Sequence, residues 1–245
     1  AEWSDVVIGQ LDARADALRL GARGNRPVAY YMHIGNVDRR ALFGRPDLTV
    51  FASSVLQSQY PAIAPALVVH PPVPEADYAT TRGNAITLVA PHDAKGARVF
   101  AELARRLPDR EFLTVGGNGT AWAPNVVALA PVDDMREVYA RTRVLLMPSA
   151  YESYGRTGLE AAASGIPAIA HPAAGIREAL GDAAVFVGRD DFDAWEHAIR
   201  ALDDEYEYAR CSAAARARYD SLDPASELDA LERALRALVT ERRGS

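Results

Sequence analysis

The sequence PSAYESYGRTGLEAAASGIP, residues 148–167, is the most informative stretch of the chain. It follows an apolar run at 144–147 that predicts a strand, and it continues into an alanine-rich segment that predicts a helix. Because ligands of open α/β sheets bind beyond the carboxyl ends of the strands, Glu152 stands where a binding group belongs. The helix is expected to begin near residues 155–157, where free amides and the helix dipole favour a phosphate.

A second acid, Glu160, lies about one helical turn further on. Carboxylates accept two hydrogen bonds from paired hydroxyls, so the two acids could hold the sugar and the ribose ends of one extended ligand. An alternative is that they are a helix cap and a solvated side chain. The flanking residues, Leu159 and Ala161, favour a buried Glu160, and buried acids rarely lack a partner.

Apolar runs alternate with helical segments along almost the whole chain, which predicts an α/β fold with parallel sheets. The stretch 71–84, with three prolines at 71, 72 and 74 and no apolar periodicity, breaks this rhythm and predicts a linker, residues 75–84, between two Rossmann-like lobes. Residues 1–74 have about four strands and predict a partial first lobe, whereas residues 85–245 predict a complete second lobe with a C-terminal amphipathic helix. Predicted strands are 5–10, 27–33, 48–53, 66–73, 85–89, 111–115, 126–129, 144–147, 168–170 and 183–187.

Composition favours a small-molecule ligand. The net charge of −6 and the lack of a long Lys/Arg block argue against nucleic acid and anionic membranes as partners. The single cysteine, Cys211, cannot form an internal disulfide or a cysteine-rich zinc site, and this suits a reducing compartment. No apolar run approaches the ~20 residues that span a bilayer, so we expect a soluble cytoplasmic protein without membrane insertion.

Two weaker signals follow predicted strands. Lys95 lies in a turn just before a helix, where its ammonium could neutralise a diphosphate without a metal, although such a lysine is often only solvated. The run Val115-Gly116-Gly117-Asn118-Gly119 leaves room for a flat base, or only for a tight turn.

Together these motifs resemble the donor site of family-four glycosyltransferases of the GT-B fold. The resemblance covers residues from about 5 to 243 and is highly specific in the second lobe. It is carried by two acids separated by seven residues, Glu152 and Glu160, and by further segments in matching order. These are Lys95-Gly96, Val115-Gly116-Gly117, Val132-Asp133-Asp134-Met135, Val138-Tyr139-Ala140, Leu145-Leu146-Met147-Pro148-Ser149, and Ala163-Ser164-Gly165-Ile166-Pro167.

The resemblance implies a role for each matching residue. Glu152 would bind the transferred sugar, Glu160 the ribose, and Lys95 the departing phosphate, while His33, at the end of a first-lobe strand, would lie beside the sugar. Without the resemblance, a lone histidine at a strand end is more often structural. Main-chain donors to the sugar and diphosphate would be Tyr154, Gly155, Arg156 and Thr157, and the base pocket would include Gly116, Val132, Asp133 and Asp134.

Two departures from the family pattern stand out. The family has an arginine at the end of the strand before the lysine, where this chain has Ala90-Pro91-His92; we hypothesise that Arg156 or His92 supplies the missing charge. The glycine-rich loop of the first lobe also has no counterpart. The acceptor lobe is therefore expected to be truncated, and either it is naturally short or a preceding segment or partner subunit completes it.

The resemblance implies a retaining, metal-independent glycosyltransferase that moves a sugar from a nucleoside-diphosphate sugar to an acceptor hydroxyl. The nucleotide sugar is a co-substrate, and we expect no cofactor and no metal. One alternative is a non-catalytic nucleotide-sugar-binding module or subunit, which the two departures favour. A second is a nucleotide-sugar epimerase, which would need further acids or histidines in the cleft. The base, the sugar and the acceptor stay open.

Overall fold

Two parallel β-sheets form the structure, and each belongs to its own unit of the chain. The computed structural model describes residues 4–34, 45–117 and 121–244. Residues 1–72 and 223–245 make the first unit, and residues 73–222 make the second. The predicted α/β class with two Rossmann-like lobes is confirmed.

The first unit is built around a short sheet with a buried centre. Its elements up to residue 68 are β1 (Val7–Gln10), α1 (Arg14–Gly24), β2 (Val28–Met32), β3 (Leu48–Phe51), α2 (Ser54–Ser58) and β4 (Ala66–Val68). The described strands are parallel and follow the order β1-β2-β3-β4. The strands β2 and β3 are almost wholly buried, because their apolar residues face covering layers on both sides.

The second unit holds a larger sheet. Its elements are α3 (Glu75–Tyr78), β5 (Ala85–Val89), α4 (Ala97–Arg106), β6 (Phe112–Val115), β7 (Val126–Leu129), α5 (Arg136–Tyr139), β8 (Thr142–Met147), α6 (Arg156–Ala162), β9 (Ala168–Ala170), α7 (Ala174–Leu180), β10 (Val185–Phe186), α8 (Phe192–Ala201) and α9 (Glu205–Asp220). The six described strands are parallel and follow the order β10-β9-β8-β5-β6-β7. The strand order therefore reverses between β5 and β8.

Helices cover both faces of this second sheet. Successive residues of β8 point to opposite faces, as the period of two in a strand requires. Val144 and Leu146 pack with Phe100 of α4 and Trp195 of α8. On the other face, β8 packs with α6 and α7 through residues that include Leu145, Met147, Leu159 and Ile176. The loops that follow these strands are therefore anchored by an apolar core on each face of the sheet.

The C-terminal helix α10 (Pro224–Gly244) packs on the first sheet and not in the second lobe, where we expected it. Its apolar stripe contacts residues in and next to the strands of the first unit: Leu231, Ala234, Leu235 and Leu238 pack against Ala29, Leu48, Val50 and Val69. Glu227 accepts hydrogen bonds from the backbone of His70 at 2.8 Å and contacts its ring at 2.7 Å. Helical periodicity predicts that one face is buried but does not specify which sheet buries it.

The segment expected to link the two lobes, residues 75–84, packs within the second unit. It contains α3, and Tyr78 lies against the apolar cluster of α6 and α7. Gly83 donates to the Thr142 carbonyl at 3.1 Å, which joins the segment to the start of β8. A segment without apolar periodicity can still pack through single side chains and backbone hydrogen bonds. Over the described parts of the chain, no helix combines the length and apolar composition needed to cross a bilayer.

Candidate functional site

The point where the strand order reverses, between β5 and β8, positions the candidate site of the second unit. At such a point the chain leaves the two neighbouring strands in opposite directions. This opens a crevice at the carboxyl ends of the strands, where ligands of open α/β sheets bind. The loop after β5 carries Lys95, and the loop after β8 carries Glu152. Both predicted charged residues therefore follow the two strands that flank the crevice.

Lys95 and Glu152 form an ion pair through Nζ and Oε1. The Ser149 hydroxyl donates to the same carboxylate oxygen at 2.8 Å. The side chains of Lys95 and Glu152 are 28% and 14% exposed, so the pair is largely buried but still accessible from the surface. Lys95 is also the only lysine in the 245 residues, beside 26 arginines. A compact ammonium suits a point contact with a phosphate, whereas a guanidinium forms a planar fork.

The two loops approach each other because Gly96 has no side chain. Gly96 adopts a φ of +90°, and a Cβ there would lie 2.7 Å from Pro148 Cβ and 2.8 Å from its carbonyl oxygen. Glycine alone tolerates both the left-handed backbone and this contact. The Ala150 amide then donates to the Ala94 carbonyl at 2.8 Å, which links the loop of Glu152 to the turn of Lys95.

A second close contact fixes the start of α6. Gly155 has a φ of +75°, and a Cβ there would lie 3.1 Å from the Cα of Ile176. The helix begins at Arg156, within the predicted range of 155–157. The loop that carries Glu152 is therefore held between strand β8 and helix α7.

Glu160 is buried and bound by protein donors. It is 9% exposed, and it accepts a hydrogen bond from the Tyr139 hydroxyl at 2.8 Å. Arg156 Nε lies 3.1 Å from the other carboxylate oxygen, and Arg156 also donates to the Tyr78 hydroxyl at 2.6 Å. Burial, with the neighbouring charge of Glu160, raises the pKa of Tyr139, so its hydroxyl remains a donor. The buried environment expected for Glu160 is present, with a tyrosine and an arginine as partners.

The structure thus arranges the predicted residues in two networks. One contains Lys95, Glu152 and Ser149, and the other contains Glu160, Arg156, Tyr139 and Tyr78. Since Arg156 contacts Glu160, in its present position it belongs to the second network and not to the Lys95 side. The tyrosine partners were not predicted as site residues, and only the position of Tyr139 within a family-like segment pointed to it.

The other predicted residues of α6 and its approach differ in exposure. The Tyr154 side chain is buried, 4% exposed, among the apolar residues of α6 and α7. Only its main chain is thus open to the predicted role. Thr157 is half-buried, and Arg156 is exposed along 47% of its side chain.

The residues predicted for a base pocket follow β6 and β7. Gly116 has a φ of +85°, and Val132 packs against the cluster that contains Leu113 and Val138. Asp133 is exposed, whereas Asp134 accepts the Arg136 amide at 2.9 Å and binds the same arginine's side chain. These hydrogen bonds from Arg136 lower the pKa of Asp134. Asp134 therefore fixes the start of α5. Asn118 and Gly119, the last residues of the glycine-rich run after β6, lie outside the described residues.

The position that lacks the family's arginine has an unusual backbone. Ala90 adopts a φ of +53°, which costs an alanine about 1–2 kcal/mol relative to a glycine. His92 next to it is exposed, and its carbonyl accepts the Lys95 amide at 2.9 Å. The His92 backbone therefore shapes the lysine turn, and its ring is open to solvent or ligand.

His33 follows β2 in the first unit. Its ring lies 5.7 Å from that of Tyr31, and its Nδ1 is buried without a hydrogen-bond partner among the described residues. A buried ring nitrogen without a partner is costly unless a ligand satisfies it. The place of His33 beside the transferred sugar stays a prediction. Within the described ranges, no three His, Cys, Asp or Glu side chains converge as a metal-binding group.

Comparison with solved structures identifies the fold. The structure resembles that of HepE from Anabaena in complex with UDP-glucose, with a TM-score of 0.79 and 16% identity over 95% of this chain and 79% of the other. With its two parallel sheets, the chain has the GT-B glycosyltransferase fold.

The family follows from the sequence of the second unit. The family model for glycosyl transferases group 1 matches residues 83–204, about half of the chain. Residues 83–204 therefore form a domain of the glycosyl transferases group 1, within a chain that has the GT-B fold.

Two curated relatives match part of the chain. D-inositol 3-phosphate glycosyltransferase of Corynebacterium urealyticum is 33% identical over 117 residues, which cover 45% of this chain and 28% of the relative. O-antigen chain mannosyltransferase B of Escherichia coli is 33% identical over 76 residues, covering 31% of this chain and 20% of the relative. The matched regions thus span less than a third of the length of either relative.

Proposed function

We propose that the protein transfers a sugar from a nucleoside-diphosphate sugar to an acceptor hydroxyl with retention of configuration. The observation that carries this proposal is the ion pair of Lys95 and Glu152 where the strand order reverses. A lone lysine paired with a half-buried acid in a ligand crevice suits an anionic ligand that carries hydroxyls. The fold shared with HepE, whose structure contains UDP-glucose, supports a nucleotide sugar as that ligand.

In this proposal the diphosphate competes with Glu152 for Lys95. The ammonium then neutralises phosphate charge, and the released Glu152 carboxylate accepts hydrogen bonds from the sugar hydroxyls. Glu160 binds the ribose hydroxyls through the lone pairs that Tyr139 and Arg156 leave free. The main chain at 154–157 provides donors for the sugar and diphosphate, and Gly116, Val132 and Asp133 contact the base.

Catalysis would rest on positioning and on stabilising the leaving group. The acceptor oxygen bonds to the anomeric carbon on the face from which the diphosphate departs, and the acceptor proton passes to the leaving phosphate oxygen. Lys95 stabilises the negative charge that develops there, with Arg156 or His92 as the second cation. This scheme needs no protein nucleophile, metal or cofactor. The cytoplasmic location stays a prediction.

Nucleoside diphosphate release from a panel of nucleotide sugars, beginning with UDP-glucose and measured with and without lysate acceptors, tests the proposal. We expect the rate of nucleoside diphosphate release to rise when an acceptor is present. In Lys95→Met and Glu152→Gln this rate should fall on the order of a hundredfold, because one preorganised charge contributes about that much to catalysis. Glu196→Gln is the matched control, because Glu196 is likewise a partly buried acid paired with a base, Arg200, but belongs to α8 and not to the two loops of the site. Equal release by wild type and Glu152→Gln would contradict the assignment.

A non-catalytic nucleotide-sugar-binding module is the second candidate. Ala90-Pro91-His92 occupies the stretch where the family has an arginine, and this favours binding without turnover. The same panel separates the two functions when binding is measured by calorimetry in parallel. Saturable binding of a nucleotide sugar with no release in any acceptor mixture would identify the module.

A further inference from the structure

The turn between β10 and α8 is anchored in the core of the second unit. The Gly188 carbonyl accepts the indole N–H of Trp195 at 2.9 Å and the Asp191 amide at 3.1 Å. Trp195 is fully buried, and Asp191 caps α8 by accepting the Ala194 amide at 3.0 Å. The backbone on either side of Arg189 is therefore fixed by the hydrogen bond to the buried Trp195 and by the cap of α8.

From this turn, Arg189 reaches both loops of the candidate site. Its Nε donates to the Pro148 carbonyl at 2.9 Å, and its Nη2 donates to the Asp93 carbonyl at 2.5 Å. Pro148 begins the loop that carries Glu152, and Asp93 begins the turn that carries Lys95. One guanidinium thus bridges the two segments whose side chains form the ion pair.

This bridge depends on the shape of the arginine side chain. A guanidinium holds its N–H donors in a rigid plane and can bind two separate carbonyls at once, whereas an ammonium is a single flexible point donor. Apart from it, the loops share one described backbone hydrogen bond, from Ala150 to Ala94 at 2.8 Å, and the close contact at Gly96. Without Arg189, the described links between the loops are the Ala150–Ala94 hydrogen bond, the Lys95–Glu152 ion pair and the contact at Gly96.

We infer that Arg189 is a positioning residue that sets the spacing of Lys95 and Glu152 by tying their loops together. The catalytic consequence rests on the proposed glycosyl transfer, but the tie itself is independent of any ligand. Misplacement of reacting groups by about 1 Å can reduce turnover on the order of a hundredfold, so a spacer outside the ligand contacts can affect rate.

Hydrogen exchange of the full chain tests the tie without a substrate. In Arg189→Ala we expect the Ala150 amide to exchange about tenfold faster or more, because its acceptor loop is released. Arg98→Ala is the matched control: Arg98 pairs with the neighbouring Asp190 on the surface but touches neither carbonyl. Unchanged protection of Ala150 in Arg189→Ala would overturn the inference. Should that variant not fold, Arg189→Lys, which keeps the charge without the fork, is expected to accelerate the same amide.

Kinetics separate positioning from a merely structural role. With the nucleotide sugar that the wild type consumes, Arg189→Ala is expected to lower kcat roughly tenfold to a hundredfold with a smaller change in KM. Arg189→Lys should recover part of the rate, and guanidinium ion below its denaturing range should recover more in Arg189→Ala, since it can bind both carbonyls. A kcat per folded molecule equal to wild type would refute the positioning role. If the wild type consumes no donor, the proposed function fails, while hydrogen exchange still decides whether Arg189 ties the loops.

Discussion

The Tyr139–Glu160 hydrogen bond gives the most quantitative prediction. Tyr139 is fully buried, Glu160 is 9% exposed, and their oxygens lie 2.8 Å apart. Replacing Tyr139 by phenylalanine removes the hydroxyl and leaves a buried carboxylate oxygen without that donor. Hydrogen bonds to charged groups contribute about 1.5–3 kcal/mol, so we expect the free energy of unfolding to fall by roughly 2 kcal/mol.

Tyr208 provides a matched control in the same unit. It is also buried, 6% exposed, but its hydroxyl donates at 3.0 Å to the neutral carbonyl of Arg143. Tyr208→Phe should therefore cost about 1 kcal/mol. For a chain of this size 1 kcal/mol corresponds to about 2–4 °C, so Tm should fall by roughly 4–8 °C in Tyr139→Phe and by about half as much in Tyr208→Phe.

The two variants should also differ in nucleotide affinity. In the proposed function Glu160 binds the ribose, so removing its Tyr139 donor should weaken UDP binding roughly tenfold, a change of about 1.4 kcal/mol. Tyr208→Phe should leave the affinity unchanged. Differential scanning calorimetry and isothermal titration calorimetry measure the two quantities. Equal losses of Tm in both variants, with UDP affinity unchanged in both, would refute the view that Tyr139 prepares Glu160 for a ligand.

Three further predictions follow. A nucleotide sugar should protect Lys95 from an amine-acylating reagent. Because the sequence has no other lysine, peptide mass spectrometry can measure this protection at a single site. Equal labelling with and without donor would count against a phosphate contact. Gly96→Ala should lower the free energy of unfolding by more than about 2 kcal/mol, because the left-handed backbone and the Pro148 contact both oppose a side chain, whereas Gly244→Ala should be neutral. Stability should fall as pH rises above about 10, because a raised tyrosine pKa means that the folded state retains protons that the unfolded state loses. The tyrosines with raised pKa are Tyr30, Tyr78, Tyr139, Tyr208 and Tyr219. Between pH 9 and 11, the Tm of Tyr139→Phe should therefore fall less than the Tm of the wild type.

Sequence patterns near the site correctly predicted local structure. The apolar run before Pro148 is the end of β8, and the helix begins at Arg156, within the predicted range. Both features depend on neighbours in the chain: a run of apolar residues favours a buried strand, and a glycine permits the left-handed turn before the helix. The burial of Glu160 was likewise predictable from its apolar flanks.

Contacts between distant segments were not predictable in the same way. The periodicity of α10 predicted a packing helix but not its position on the first sheet, because an apolar stripe fits any complementary surface. Arg189 had no sequence signal, since its two acceptors are main-chain carbonyls 41 and 96 residues away. Carbonyls occur at every residue, so only the fold selects which of them an arginine meets.

The sequence alone determined the α/β class, the alternation of strands and helices, and the residue types at the ends of β5 and β8. The tertiary structure decided that Lys95 pairs with Glu152, that Tyr139 and Arg156 hold Glu160, and that α10 covers the first sheet. The physical reason is the range of the interactions. Strand and helix preferences act over a few neighbouring residues, whereas the strand order β10-β9-β8-β5-β6-β7 sets which loops meet at the sheet edge.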